Sequence, residues 1–139
     1  MFDRILVAFN GSTDSRRAFA TGLALASRLG AELHVVSVVE PSHAEDSMVA
    51  VDALVDRDNR RYAFLHSGME SEALTEKVAF FSHIVVGRVV EAVVELADSI
   101  NASLIVVGGL GRSPVLRLIS GGAGVRIACD AHAMVLFTR

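Results

Sequence analysis

The stretch of this chain richest in chemistry is 106–127, VVGGLGRSPVLRLISGGAGVRI. Gly108, Gly109, Gly111, Gly121, Gly122 and Gly124 crowd around one short helical pattern, joined by Pro114 in a chain with only two prolines. Glycine loses more conformational freedom on folding than any other residue, so such a cluster needs a reason. One reason is anion binding, because glycines let backbone N–H groups approach a phosphate. Two familiar phosphate motifs are excluded. A G-x-x-x-x-G-K-[ST] loop needs a Gly-Lys pair, and the chain has none. The G-x-G-x-x-G dinucleotide fingerprint belongs after the first strand, whereas GLG is followed here by RSP and comes after the fourth. What remains is Gly108-x-x-Gly111, nine residues, then Gly121-Gly122. The plain alternative is that these glycines only form turns and a close helix-to-sheet contact.

Other groups carry weaker signals. Histidines 34, 43, 66, 83 and 132 raise the question of metal, yet none makes a ligand pair at helical or loop spacing apart from Asp130-x-His132. No metal is therefore expected. His34 and His83 fall in expected strands, where hydrogen-bonded structural histidines fit better, and Asp130 and His132 suit a polar helix-to-strand turn. Ser12, Asp14 and His34 are the residue types of a catalytic triad, but no G-x-S-x-G elbow exposes a serine. A small hydrolase is weakly supported, and so is a flavodoxin-like electron carrier, because no aromatic flavin sandwich is evident. Cys129 is the single cysteine, which excludes an intramolecular disulfide, fits a reducing compartment and reads as a small buried apolar residue.

The elements that must position these residues follow from apolar periodicity. RILVAF (4–9), 32–40, 80–87, 103–109 and 133–139 are short apolar runs bounded by turn residues, and read as strands. Ser12 or Thr13 caps a helix with Asp14 in its first turn, and Gly30 stops it. Val90, Val93, Val94, Ala97 and Ile100 form the stripe of a third helix. Ser113 and Pro114 mark the start of another. Within 42–79 a loop and one long or two shorter helices are expected, since Gly68 interrupts an apolar stripe and Ser67 with Glu70 has capping-box spacing. DALVDRDNRR (52–61) is most simply a solvated helix face, with docking of a partner as the alternative. Alternating strands and helices predict a single domain over 1–139: an α/β fold with an open five-stranded parallel sheet and helices on both faces. Ligands in such sheets bind beyond the carboxyl ends of the strands where the winding reverses. If the first and fourth strands are neighbours, the loops at 10–12 and 108–111 meet in one crevice.

Composition bounds the rest. The chain has 139 residues, 52% hydrophobic, with a formal net charge of −3. That charge argues against nonspecific nucleic-acid binding as the main role. No apolar run is long enough to cross a bilayer. The opening MFDRILVAFNGS lacks the basic start and cleavage pattern of a secretory signal, so a cytoplasmic location is expected.

With these residues quoted, the chain resembles a single-domain universal stress protein over nearly its whole length. ILVAFNGS is similar to that family's opening strand, which usually ends in Asp-Gly-Ser. IVVGRVVEAVVELADSINASLIVVGGLGRS is similar to its third strand, third helix and fourth strand, and the glycine spacing is that of the nucleotide-binding members' G-x-x-G, nine residues, G-[S/T]. The resemblance implies a Rossmann-like fold of the adenine-nucleotide alpha hydrolase class. It also implies an ATP or AMP site in which Ala8, Phe9, Asn10 and Val38 frame adenine and ribose. Gly108, Gly111 and Gly121 would bring backbone N–H groups to the phosphates, with Arg112 helping to neutralise them and Gly122 closing the motif.

The departures from the pattern matter. Asn10 stands where Asp is common, Phe9 is bulkier than usual and would narrow the adenine pocket, and Gly122 and Gly124 replace Ser or Thr. Losing two hydroxyl contacts to a charged group weakens binding by roughly two to four orders of magnitude. The expectation is a non-catalytic regulatory or stress-response protein with weak or absent adenine-nucleotide binding and an unidentified protein partner. The alternative is an efficient ATP- or AMP-binding member that signals by nucleotide state. The resemblance further implies a homodimer through the strand 133–139, whose exposed edge would otherwise invite pairing.

Overall fold

The computed structural model describes residues 2–41, 47–109 and 122–139. Among the described residues, five strands and four helices alternate: β1 (Arg4–Ala8), α1 (Thr13–Leu29), β2 (Glu32–Val39), α2 (Met48–Thr75), β3 (Phe80–Val86), α3 (Val89–Ser99), β4 (Leu104–Val107), α4 (Ala123–Asp130) and β5 (Met134–Phe137). The strands form one sheet in the order β3-β2-β1-β4-β5, with every neighbouring pair parallel. The expected β1–β4 neighbourhood is therefore present, and β5 lies at an edge.

Strand alternation divides the core into two layers. Ile5, Val7, Leu33, Val35 and Val106 pack against Ala18 and Phe19 of α1 and Met69 and Ala73 of α2. Leu6, Val36, Ile105 and Val107 pack against Val90, Val93 and Ala97 of α3 and Ile127 of α4. Covering both faces explains why the strands read as continuous apolar runs rather than alternating ones.

Local signals set the ends of α1. Ser12 is its N-cap, the hydroxyl accepting from Ser15 N at 3.1 Å, and Gly30 closes it in a left-handed conformation at φ 67°. In the middle of the chain the structure has the first of the two alternatives, one long helix. α2 runs unbroken through Gly68, although that residue and the capping-box spacing at Ser67 suggested an interruption. A Cβ at Gly68 would meet nothing within 4 Å, so the residue sits on the open side of the helix. Its propensity penalty of about 1 kcal/mol is outweighed by burial of Tyr62, His66, Met69 and Ala73 at helical spacing on the other side. Met48, the first residue of α2, is exposed. Cys129, read as a small buried residue, is exposed on α4. Among the described residues, no helix is long and apolar enough to cross a membrane.

Candidate functional site

The sheet reverses its winding at β1. β2 and β3 lie to one side of it, β4 and β5 to the other. Beyond the carboxyl ends of β1, β2 and β4 the diverging loops enclose a cavity of about 520 Å³. Ala8, Phe9, Asn10, Val38 and Gly108 all line it, so five of the residues singled out by sequence come together. Gly122 is the N-cap of α4, immediately before the lining residues Ala123 and Gly124. Gly111, Arg112 and Gly121, and the helix start at Ser113 and Pro114, lie outside the described residues.

The cavity has two chemically distinct walls. Val36, Val38, Val89, Val93 and Ile127 form an apolar side beneath α3 and α4. Opposite them lie Asn10, Ser12, Asp14 and Ser15, with Gly108 and Gly109 alongside. First-turn residues of α1, α3 and α4 all reach the cavity, so three helix N-termini converge on it. The aligned dipoles of these helices favour negative charge there. An apolar slot beside an anion-favouring rim suits a ligand with a flat apolar base and a phosphate.

The glycines have separable roles. A Cβ at Gly108 would overlap the backbone carbonyl of Asp14, so only glycine lets β4's end approach the start of α1. Gly122 adopts φ 40°, ψ 111° and supplies no side-chain cap to α4. A Cβ at Gly124 would stand 3.1 Å from Phe137 Cε1 and 3.3 Å from Val107 Cγ2. Gly124 thus makes a close helix-to-sheet contact, the plain alternative that the sequence left open.

The end of β1 is held by a buried polar chain. The Ser37 hydroxyl donates to the Phe9 carbonyl at 2.7 Å. Its oxygen therefore accepts from His66 Nε2–H at 2.8 Å, and His66 Nδ1 accepts from the Ser82 hydroxyl at 2.6 Å. This assigns a neutral His66 with its proton on Nε2. Burial, reinforced by the charge of His83, pushes the His66 pKa down to about 4. The Phe9 ring belongs to the α1–α2 layer, edge-on to His66 at 6.0 Å, rather than to the apolar wall beneath α3.

Asn10 makes a local turn. Its Oδ1 accepts from Ser12 N at 3.0 Å, and because that backbone group donates, the bonded atom is the amide oxygen. Ser15, Val93 and Ile127 were not expected at the site, since their presence depends on which strands are neighbours. His66 carried no local signal at all.

The remaining histidines among the described residues have partners, while His43 lies outside those residues. His34 Nδ1 lies 2.9 Å from His83 Nε2, and His34 Nε2 lies 3.2 Å from the Glu32 carboxylate, which Arg4 Nε also meets at 3.0 Å. Hydrogen bonding from His34 holds the Glu32 carboxyl below its usual range, and burial, then His34, lowers His83. With both ring nitrogens engaged in β2, His34 forms no triad with Ser12 and Asp14. His132 lies 3.2 Å from Asp98. Among the described residues, no group of three or more His, Cys, Asp or Glu is placed to hold a metal ion.

Comparison with known proteins supplies the wider context. The model of the universal stress protein family matches residues 1–139. A universal stress protein of Thermus aquaticus is 31% identical over 139 residues, covering all of both chains. A universal stress protein crystallised in complex with cAMP superposes with a TM-score of 0.78 at 29% identity, over 99% of this chain and 97% of that one. An Arabidopsis thaliana family protein with AMP bound shares the fold, with a TM-score of 0.69 at 15% identity over 97% and 90% of the two chains.

Proposed function

Because the chain belongs to the universal stress protein family, we propose that it is a regulatory protein, not an enzyme, whose cavity takes an adenine mononucleotide weakly. The observation that carries this reading is the meeting of three helix N-termini with an apolar slot at the β1–β4 reversal. The base would lie against Val36, Val38 and Val93, with the ribose toward Asn10 and the phosphate toward Gly108 and the first turn of α4. The 29%-identical structural relative is a complex with cAMP, which supports an adenine ligand.

Weakness follows from the α4 cap. Gly122 and Gly124 offer no hydroxyl, and each hydrogen bond to a charged group is worth about 1.5–3 kcal/mol. The ligand would act by ordering the loops around the cavity, so that a protein partner reads the bound state. We further propose that the active form is a homodimer paired through β5.

Calorimetric titration with AMP and ATP tests the reading. Binding of AMP in the micromolar range or weaker, without turnover of ATP, is the expected result. Submicromolar ATP binding would instead favour a protein that signals by ATP state. Failure of any adenine nucleotide to bind would remove the ligand assignment altogether.

A further inference from the structure

Away from the cavity, we propose that Ser82 is an acyl-acceptor site, taking a small acyl group from an activated ester, thioester or acyl phosphate with His66 as its general base. The Ser82 hydroxyl donates to His66 Nδ1 at 2.6 Å, and His66 Nε2–H donates in turn to Ser37 Oγ at 2.8 Å. Ser37 is itself tied to the Phe9 carbonyl at 2.7 Å. A hydroxyl bonded to a base, with the base oriented by a third group, is the arrangement that activates a nucleophile. The base and its orienting group are 2% and 0% exposed and so packed in place, whereas Ser82 on β3 is exposed. Ser71 and Ser99 are exposed as well, but their hydroxyls donate to the Ser67 and Leu96 carbonyls, which take no proton.

The sheet edge supplies the second element. Leu33 N donates to the Ala79 carbonyl and Gly87 N to the Val39 carbonyl, so the odd-numbered residues of this strand turn their backbone groups to β2. The N–H of Ser82 therefore points the other way, to the side on which no described strand pairs. A nucleophile's own amide is one of the donors that serine proteases aim at the developing oxyanion. In the step, Ser82 Oγ bonds to the acyl carbon and the bond from that carbon to the leaving group breaks. The hydroxyl proton passes to His66 Nδ1 and then to the leaving group. Burial keeps His66 in its base form at neutral pH and also weakens it as a base. The rate gain therefore falls at the lower end of general-base catalysis, about a hundredfold. The acylated serine no longer donates, which leaves His66 Nδ1 buried without a partner and lowers the melting temperature.

Acetylation by p-nitrophenyl acetate, followed by peptide mass mapping over time, tests this. The exposed thiol of Cys129 would compete for the reagent, so the full chain carrying Cys129→Ala serves as the parent. Ser82 should be acetylated about a hundredfold faster than Ser71 or Ser99 in the same molecule. His66→Gln, whose amide holds the bonds to Ser37 and Ser82 but takes no proton, should bring Ser82 down to the rate of those two serines. Ser82→Ala should remove the fast phase of p-nitrophenolate release. The comparison among serines within the parent decides the matter even where a variant folds poorly. Ser82 reacting no faster than Ser71 and Ser99, or reacting as fast in a folded His66→Gln protein as in the parent, overturns the proposal.

Discussion

Gly108 ends β4 directly against the backbone carbonyl of Asp14, with no room between them for a methyl group. This one contact joins the fourth strand to the first turn of α1, and both partners line the cavity. Gly108→Ala should therefore push α1 away from β4. Overpacking of this kind costs about 1–3 kcal/mol, and the upper end is expected because the obstructing atom is backbone. Urea denaturation should show a lower midpoint with an unchanged slope, and nucleotide binding should be lost with it.

Gly124 lies where family resemblance expects Ser or Thr, and a serine there would seem a repair. Packing argues otherwise. The new Cβ would stand 3.1 Å from Phe137 and 3.3 Å from Val107, so both side chains must give way. Gly124→Ser should lower stability by about 1–2 kcal/mol and leave nucleotide affinity unimproved. Thermal melting and calorimetry on the same preparation check both halves, and tighter binding with unchanged stability would contradict the packing argument.

What was legible in the sequence follows the range of the forces involved. The strands are covered on both faces, so Ile5, Leu6 and Val7, or Leu104 to Val107, appear as apolar runs that need no partner to be recognised. The ends of α1 were legible because Ser12 and Gly30 act on their own helix. Whether α2 was one helix or two was not, because the local signals at Ser67 and Gly68 yield to the burial of Tyr62, His66 and Met69. Within the cavity, Asn10 and Gly108 stand out by motif and spacing. Val93, Ile127 and Ser15 reach it only because β1 lies beside β4. The role of His66 depends on Ser37 and Ser82, which come from two different strands.

That buried histidine gives the protein a defined acid response. In the unfolded chain His66 titrates at an ordinary value near 6.5, whereas in the fold it is held down to about 4. Between those values the unfolded state binds more protons, so stability rises with pH. The contribution is complete above pH 6.5 and is lost as pH falls through the window toward 4. A gap of this size corresponds to about 3 kcal/mol. His66→Gln, whose amide can donate to Ser37 and accept from Ser82, should flatten the dependence. Unfolding free energies at pH 7 and pH 4.5 for the two proteins measure it, and equal slopes would sink the assignment.

The last expectation concerns the free edge of the sheet. Among the described residues, β5 pairs with β4 on one side only. Val135 and Phe137 turn toward α3 and α4, and strand alternation puts Met134 and Leu136 on the opposite face, 58% and 37% exposed. An apolar edge strand is a template for a second copy of itself. Antiparallel pairing of two β5 strands about a two-fold axis would satisfy the ladder and cover both side chains. Replacing both by glutamate sets like charges across that axis while leaving Val135 and Phe137 in the core. The native protein should sediment as a dimer and the Met134→Glu/Leu136→Glu variant as a monomer. The melting temperature of the native protein alone should rise with concentration, as linkage to dimerisation requires. A native monomer, or a dimer that survives both substitutions, would place the interface elsewhere.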